Sequence, residues 1–423
     1  MLQVYRYLTY FFFPIFITLI YFRSIFNKED QKRFKEKIFS SHFRAHKDNN
    51  KKLVWFHAAS IGECLSIMPL IDQINKENKN INFLITTVTL SSSSLLEKKL
   101  KNYNNITHRF FPLDVKILVE KFLFFWKPDL VCFVDSEIWP NFLFEIKKQK
   151  IPLVLVNARI TKKTFNRWRV ISNFAKKVFN NFDLCLAASE ESKNNLNKLQ
   201  VKNLKYIGNL KYAARNKLEE LGNSNKKILD NFKTWCAVST HNDEEIIILK
   251  THLEIKKKYN NILTIIIPRH IDRSSFIKNL SSKLNLNSQV LNDGDLIDFK
   301  TEILIINSFG VLSKYFNYCK NIFIGKSFLK RLENVGGQNP IDAAKFGCKI
   351  FHGPYVYNFK EIYEHLRSLG VAKKVNNQVE LAAEINQNLE DQMTKGHLQV
   401  NLLDNYGEKI LKETVLNLNR YLK

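Results

Sequence analysis

Short apolar runs alternate with longer segments of helical periodicity through most of the chain. Six such runs before residue 212 predict strands at 53–57, 83–87, 108–112, 130–135, 153–157 and 184–188. After residue 232 the alternation restarts and predicts five more strands, at 235–239, 263–268, 303–307, 322–325 and 349–352. Because strands that alternate with helices form parallel sheets covered on both faces, we predict an α/β protein with two successive domains.

The stretch between the two series is polar and charged and is broken at Gly222, as is typical of a domain junction. Near the C-terminus, Leu411, Val415, Leu418 and Leu422 recur at helical spacing, and we expect that helix to pack back on the first domain. The predicted plan is a first domain at 27–212, a linker at 213–232, a second domain at 233–405 and a C-terminal helix at 406–423.

The N-terminal segment 7–22, YLTYFFFPIFITLIYF, is almost continuously apolar and is followed by six Lys or Arg residues before residue 38. It is shorter than the roughly 20 residues of a perpendicular span. A signal peptide would carry its charges first and end at a small-residue cleavage site. We therefore predict an uncleaved membrane anchor at 1–26, either spanning the bilayer or lying in its interface, with the next domain in the cytoplasm. A buried N-terminal helix is the alternative.

The formal net charge of +25 implies an anionic partner, which is a nucleic acid, an acidic membrane surface or a phosphorylated substrate. Biased coding composition explains part of this charge, because the chain is crowded with Lys, Asn, Ile and Phe. The six cysteines are scattered without a C-x-x-C pair, which argues against zinc or disulfide frameworks and suits a reducing cytoplasm. No metal-ligand spacing, Walker A or G-x-G-x-x-G motif is present, which argues against a metal centre, a P-loop NTPase and a dinucleotide oxidoreductase.

The sequence LVWFHAASIGECLS, at 53–66, predicts a buried strand, a tight turn of small residues and the start of a helix. Glu63 lies where that helix begins. Ligands of open α/β sheets bind outside the carboxyl ends of the strands, so Glu63 is a candidate general base. The alternative is that its charge only favours the N-terminus of its own helix. His57, at the strand end, is interpreted as a hydrogen-bonded, partly buried histidine.

Polar residues also follow most of the other predicted strands. Gly-rich turns at helix starts offer backbone N–H groups to a phosphate, and Arg269 and Lys211 would add positive charge. Asp342, in the first turn of a helix, would accept ribose hydroxyls. The pattern predicts group transfer from a nucleotide sugar. The candidates in the first domain are Asp135, Glu137, Arg159 and Lys211, and those in the second are Ser239, His241, Arg269 and the turn at 336–342.

With these motifs in order along the chain, the sequence resembles the 3-deoxy-D-manno-octulosonic acid (Kdo) transferases of lipopolysaccharide assembly. The matching pieces are SIGE at 60–63, SEIWPN at 136–141, NAR at 157–159, GNLK at 208–211, STH at 239–241, PRH at 268–270 and GGQNPID at 336–342. The resemblance implies a GT-B glycosyltransferase fold, in which two Rossmann-like domains face a cleft. It also implies inverting, metal-independent transfer of Kdo from CMP-Kdo to a phosphorylated lipid A precursor, lipid IVA. This reaction would occur at the cytoplasmic face of the inner membrane, among anionic lipids.

The resemblance also implies roles for individual residues. Glu63 corresponds to the proton acceptor, and Asp135 and Lys211 correspond to positions that stabilise the transition state. Glu137, Arg159, Ser239 and His241 remain further candidates, and no cofactor or metal is implied. The residues that match CMP-contacting segments are Pro268, Arg269, Phe309, Gly310, Val311, Asn339, Pro340, Ile341 and Asp342.

Two other functions fit parts of the sequence. A membrane-tethered nucleic-acid-binding protein would use the basic charge, but the aromatic residues lie mostly in apolar runs and no nucleic-acid module is recognised, so we predict no nucleic-acid partner. A GT-B enzyme that uses a UDP-sugar at the membrane is the nearer alternative.

Overall fold

The computed structural model describes residues 1–43, 50–214, 221–308, 310–390 and 396–422. The chain forms two compact units. Unit 1 comprises Met1–Ala214 with Tyr406–Lys423, and unit 2 comprises Arg215–Asn405. Within the described residues, each unit contains one parallel sheet of seven strands with helices between the strands. The prediction of two α/β domains is therefore confirmed.

The sheet of unit 1 has the strand order β3-β2-β1-β4-β5-β6-β7. The chain runs outward from β1 to β3, returns to place β4 beside β1, and then continues in the other direction. The strands are β1 (Lys52–His57), β2 (Ile81–Thr87), β3 (Ile106–Phe110), β4 (Leu130–Val134), β5 (Leu153–Ala158), β6 (Leu184–Ala187) and β7 (Leu204–Tyr206).

Local capping helps to set where the helices of unit 1 begin. Ser60, Thr89, Thr161 and Ser189 each precede a helix, and each side chain accepts a hydrogen bond from a backbone N–H three residues later. The helices are α1 (Leu2–Phe11), α2 (Phe13–Ile25), α3 (Ile61–Glu77), α4 (Leu90–Lys99), α5 (Lys116–Trp126), α6 (Pro140–Lys148), α7 (Lys162–Val170), α8 (Ser172–Phe179) and α9 (Glu190–Lys198).

An aromatic core fills the space between the sheet of unit 1 and its helices. Trp55 on β1 is fully buried, with its ring centroid 5.0 Å from that of Phe122, 5.6 Å from that of Phe133 and 5.6 Å from that of Phe142. Burying such side chains contributes about 1.5–3 kcal/mol each. This packing holds β1 and β4 rigidly side by side, so their carboxyl ends form a fixed edge.

Unit 2 has the strand order β10-β11-β9-β8-β12-β13-β14. The strands are β8 (Lys233–Thr240), β9 (Ile262–Pro268), β10 (Ser288–Leu291), β11 (Ile303–Ile306), β12 (Asn321–Ile324), β13 (Lys349–His352) and β14 (Ala372–Lys374). Its helices are α10 (Asn223–Leu229), α11 (Glu245–Lys256), α12 (Ser274–Lys283), α13 (Leu312–Phe316), α14 (Ile341–Lys345), α15 (Lys360–Ser368) and α16 (Gln378–Glu390), followed by α17 (Gly396–Asn419).

The second half of α17 packs within unit 1. The ring centroids of Tyr406 and Tyr212 lie 5.1 Å apart. A Cβ atom at Gly407 would lie 2.1 Å from the Tyr212 carbonyl oxygen, so only glycine allows this close approach.

The N-terminal helices α1 and α2 expose most of their apolar side chains, including Tyr7, Phe11 and Phe22. Among the described residues, no single helix is long and apolar enough to cross a bilayer. Only α1 and α2 together, bent by 50°, meet that criterion of length and composition. In α1 no residue is buried, and in α2 only Ile20 and Ser24 are buried, so the alternative of a buried N-terminal helix holds for one short part of the segment at most.

Three strands were missed by the sequence prediction: β7, β10 and β14. All three lie at sheet edges, where one side of the strand lacks a neighbour. Lys205 and Tyr206 of β7 and Lys373 and Lys374 of β14 are exposed, so these strands carry no apolar run. Such short, charged edges are common in sheets. The predicted strand at 108–112 is displaced, because β3 ends at Phe110.

Candidate active site

Polar side chains of unit 1 converge where the sheet order reverses, between β1 and β4. Glu63 follows β1, and Asp135 and Glu137 follow β4. Such a topological switch point leaves a crevice at the carboxyl ends of the strands, which is where open α/β sheets bind ligands.

Glu63 lies in the first turn of α3 and is 9 % exposed. Its Oε2 accepts a hydrogen bond from Ala59 N at 2.7 Å, and its Oε1 accepts one from Ser60 Oγ at 2.7 Å. Burial, together with the negative charges of Asp135 and Glu137, raises the pKa of Glu63 to about 7, although both hydrogen bonds oppose this rise. Glu63 thus helps to cap its own helix and is also a carboxyl that exchanges a proton near neutral pH.

Asp135 and Lys211 form an ion pair next to Glu63. Lys211 lies in a short 3-10 helix, Leu210–Ala213, and its Nζ is 3.3 Å from Asp135 Oδ2. The Lys211 side chain also lies close to the start of α3, since a Cβ atom built on Gly62 would be 3.9 Å from Lys211 Cε. Asp135 is 6 % exposed and has a positive φ of 56°. The structure therefore brings together the three residues that were predicted to be catalytic.

Glu137 lies at the end of a hydrogen-bonded chain that begins inside the core. Trp55 Nε1 donates to Thr86 Oγ1 at 2.9 Å, and His57 Nδ1 lies 3.0 Å from that hydroxyl and 3.2 Å from the Thr86 carbonyl oxygen. His57 Nε2–H then donates to Glu137 Oε2 at 3.3 Å, and Trp139 Nε1 donates to the same oxygen at 2.8 Å. Burial favours a raised pKa for Glu137, but these two partners outweigh it and the pKa is lowered. Glu137 is therefore a fixed negative charge near Glu63.

The remaining candidate of unit 1, Arg159, contacts the cluster through its backbone. Its N–H donates to the carbonyl oxygen of Asp135 at 3.0 Å, and its side chain is partly buried. This contact ties the loop after β5 to the loop after β4.

In unit 2 the strand order reverses between β8 and β12. Ser239 has a positive φ of 55°, and its carbonyl oxygen lies 3.0 Å from His241 Nδ1. Burial lowers the pKa of His241, whose ring packs edge-on against His270 at 6.0 Å. Ser239 and His241 thus lie at the switch point, as their place in the sequence predicts.

Glu244 organises the loops at this switch point. It is fully buried, and it accepts hydrogen bonds from His241 N at 3.0 Å, Lys326 N at 2.6 Å, Ser327 N at 2.7 Å and Phe328 N at 3.0 Å. One carboxylate therefore fastens the loop after β8 to the loop after β12.

The described residues that were predicted to contact CMP lie at or after the carboxyl ends of unit 2 strands, from Pro268, the last residue of β9, to Asp342 in α14. Arg269 follows β9, and its N–H donates to Thr240 O at 3.1 Å. Val311 lines a cavity of about 310 Å³ together with Ser308 and Lys314. Phe309 lies outside the described residues, while Gly310, beside it, has a positive φ of 77°.

The turn at 336–342 packs closely against neighbouring backbone. A Cβ atom on Gly336 would lie 2.2 Å from Tyr355 O, so the turn requires glycine there. Asn339 Oδ1 accepts from Ile341 N at 3.2 Å and so shapes the start of α14, whose first turn carries Asp342. Pro340 precedes that helix.

Sequence reasoning missed two organising residues, Asn157 and Glu244. Asn157 belongs to the NAR motif at 157–159, and Glu244 lies between two other carboxylates, Asp243 and Glu245, so neither stands out from its neighbours by type. Most of their partners lie 22 to 84 positions away along the chain. Within the described residues, no group of three or more His, Cys, Asp or Glu side chains is placed to hold a metal ion.

Two Rossmann-like units, each with polar groups at its switch point, define a GT-B-type protein. The solved UDP-GlcNAc 2-epimerase from Neisseria meningitidis shares this fold, with a TM-score of 0.57 and 17% sequence identity over 88% of this chain and 100% of that one. At this identity the likeness concerns the fold alone.

Sequence comparison narrows the class further. Residues 32–214 match the 3-Deoxy-D-manno-octulosonic-acid transferase (kdotransferase) family. A 3-deoxy-D-manno-octulosonic acid transferase from Rickettsia bellii is 33% identical over 357 residues, 84% of this chain and 82% of that protein. One from Haemophilus influenzae is 27% identical over 76% of this chain and 75% of its own length. This chain belongs to the Kdo transferase family and is a glycosyltransferase, as the resemblance in its motifs predicted.

Proposed function

We propose that this glycosyltransferase transfers Kdo from CMP-Kdo to the phosphorylated lipid A precursor lipid IVA, with inversion and without a metal ion. The observation that carries the proposal is the buried carboxyl of Glu63, whose pKa is raised to about 7 beside the Asp135–Lys211 ion pair. A base with this pKa is half ionised at the pH of the cytoplasm and takes up a proton readily.

In the proposed reaction, a sugar hydroxyl of the acceptor attacks the anomeric carbon of Kdo. The new bond joins the acceptor oxygen to that carbon, and the bond between the carbon and the phosphate oxygen of CMP breaks. Glu63 takes the hydroxyl proton, and CMP leaves with the electron pair of the broken bond. Attack on the face opposite the leaving group inverts the anomeric centre.

The Asp135–Lys211 pair supports this step electrostatically. Lys211 provides a positive charge held in place by Asp135, while the negative charge of Asp135 also helps to keep a proton on Glu63. Preorganised charges of this kind stabilise a transition state because they need no rearrangement during the reaction.

We assign donor binding to the loops of unit 2. Arg269 would pair with the CMP phosphate, since a guanidinium offers forked donors to phosphate oxygens. Gly310 and Val311 would contact the nucleotide through their backbone, and Asp342 would accept hydrogen bonds from the ribose. Ser239 and His241 lie at the same switch point and complete the set.

We also propose that α1 and α2 hold the enzyme on anionic lipid at the cytoplasmic face of the inner membrane. Tyr5 Oη donates to Asp114 Oδ2 at 2.7 Å, and Arg6 pairs with the buried Glu145 at 2.6 Å. The polar side of α1 is thus bound to the rest of unit 1, which leaves apolar side chains such as Tyr7 and Phe11 exposed for lipid. The net charge of +25 favours anionic headgroups.

The direct test is mass spectrometry of the lipid product. Purified enzyme would be incubated with lipid IVA and a system that generates CMP-Kdo. We expect the acceptor to gain the mass of one or more Kdo residues, and we expect no gain when CMP-Kdo synthesis is omitted. An unchanged acceptor in the complete mixture would contradict the proposal.

A competition assay separates this donor from a UDP-sugar. CMP, UMP and UDP would each be added to the transfer reaction at the same concentrations. Selective inhibition by CMP is expected, whereas stronger inhibition by UDP would favour a UDP-sugar enzyme of the same fold.

A further inference from the structure

The side chain of Asn157 joins the two partners of the Asp135–Lys211 pair. Its Nδ2 donates a short hydrogen bond to Asp135 Oδ1, while Asp135 Oδ2 faces Lys211 Nζ at 3.3 Å. Its Oδ1 accepts a hydrogen bond of 2.8 Å from the backbone N–H of Leu210, the residue before Lys211. One amide therefore holds both the loop that carries Asp135 and the turn that carries Lys211.

The partners of Asn157 determine the orientation of its amide. The N–H of Leu210 can only donate, so the atom that faces it is the amide oxygen, and the NH₂ group must face Asp135. This position therefore requires a side chain that accepts on one arm and donates on the other. An ionised Asp cannot donate, and Ala can do neither.

The backbone conformation is unusual at Asn157 and at its partner Asp135. Asp135 and Asn157 have positive φ values of 56° and 55°. Non-glycine residues in this region cost on the order of 1–3 kcal/mol and persist only where surrounding contacts hold them. Asn157 is 2 % exposed. Its burial and its hydrogen bonds are both accounted for by its link between Asp135 and Leu210.

We propose that Asn157 is a positioning residue of the transferase, which aligns the Asp135–Lys211 pair beside Glu63 without contacting substrate itself. This inference rests on the function proposed above. Charged groups beside the pair include Glu63 from α3 and Glu137 from the loop after β4, and His57 on β1 bonds to Glu137.

Steady-state kinetics of Asn157→Asp test the proposal. The variant keeps an oxygen for the Leu210 N–H but turns a carboxylate towards Asp135. We expect kcat to fall by about 10-fold to 10²-fold at about pH 8, with unchanged KM for donor and acceptor, because the reacting groups are misplaced. The difference in kcat between the variant and the wild type should narrow towards about pH 6. At that pH the new carboxyl at position 157 and the carboxyl of Asp135 share a proton, which restores a hydrogen-bond donor.

A matched control is Asn181→Asp. Asn181 is also buried in unit 1, and its Nδ2 donates to Lys177 O at 2.8 Å and Val178 O at 3.1 Å, away from the cluster. It should lower the thermal midpoint without changing the pH dependence of kcat. A gap between Asn157→Asp and wild type that is constant with pH, or a loss that lies entirely in KM, would overturn the proposal.

Asn157→Ala adds no charge and decides the question if the Asp variant does not fold. We expect a lower kcat with unchanged KM and no recovery at low pH. Without any substrate, amide hydrogen exchange at 210–213 should be faster in this variant than in Asn181→Ala. Unchanged exchange would refute the role of Asn157 whatever the reaction catalysed. Absence of Kdo transfer by the wild type, with faster exchange in the variant, would refute the proposed function alone.

Discussion

The two units carry polar groups at equivalent places in their sheets, but the groups differ in what they bind. In unit 1, the titratable side chains of Glu63, Asp135 and Lys211 lie together at the switch point, and burial raises the pKa of Glu63 to about 7. In unit 2, the buried Glu244 binds four backbone N–H groups and shapes loops. The comparison indicates that unit 1 gathers titratable side chains at its switch point, whereas unit 2 uses a buried carboxylate there to hold backbone loops in place.

The largest effect is expected at Glu63. Glu63→Gln keeps the shape of the side chain but cannot take up the hydroxyl proton, so transfer should fall by about 10²-fold or more. Initial rates with saturating donor and acceptor measure this. Glu190→Gln, at an exposed position in the first turn of α9, is the control and should retain activity. Turnover like that of the wild type in Glu63→Gln would remove Glu63 from the role of base.

The corresponding change in unit 2 is Glu244→Gln. It places an NH₂ group against backbone donors and removes the charge that they share, so unit 2 should lose about 3 kcal/mol of stability. Hydrogen exchange of the amides of Lys326, Ser327 and Phe328 should increase. If exchange at these amides stayed at the wild-type rate, Glu244 would not be the residue that holds the two loops together.

The raised pKa of Glu63 also has a cost in stability. The folded chain holds a proton up to about pH 7, whereas an unperturbed carboxyl releases it near 4.5. Stability therefore falls as pH rises through this window, and the whole cost is present above it. Relative to wild type, Glu63→Gln should gain on the order of 2 kcal/mol of unfolding free energy between about pH 5 and pH 8. Denaturant titrations at the two pH values measure this, and a difference that does not change with pH would contradict it.

The smallest effect is expected on the surface of unit 2. Arg331 pairs with Asp243 at 2.6 Å, but both side chains are more than half exposed, at 54% and 53%. Arg331→Ala should change stability by no more than about 0.5 kcal/mol. A loss as large as that in Glu244→Gln would show that charge in general, and not the buried carboxylate, holds these loops.

Much of the fold was predictable because the pattern of apolar residues is local. All eleven predicted strands correspond to strands in the structure, and Glu63, Asp135 and Lys211 lie together as expected. The edge strands β7, β10 and β14 were not predictable, because their pairing comes from a neighbouring strand and not from an apolar run of their own.

The sequence also left two interpretations of Glu63 open, and the structure shows that they are compatible. Glu63 accepts hydrogen bonds from Ala59 and Ser60 at the start of its helix, as a capping residue does. It is also buried near Asp135 and Glu137, which raises its pKa. Capping follows from residues three or four positions away, whereas the pKa depends on residues more than 70 positions away.

By itself the sequence determined the order of eleven strands, the family, and which polar residues lie at the ends of those strands, since the apolar runs and motifs that reveal them are local. Only the tertiary structure decided that Asn157 bridges Asp135 and Leu210, and that Glu244 fastens two loops. The physical reason is that hydrogen bonds and charges gain their strength from burial, and burial arises only when distant segments of the chain pack together.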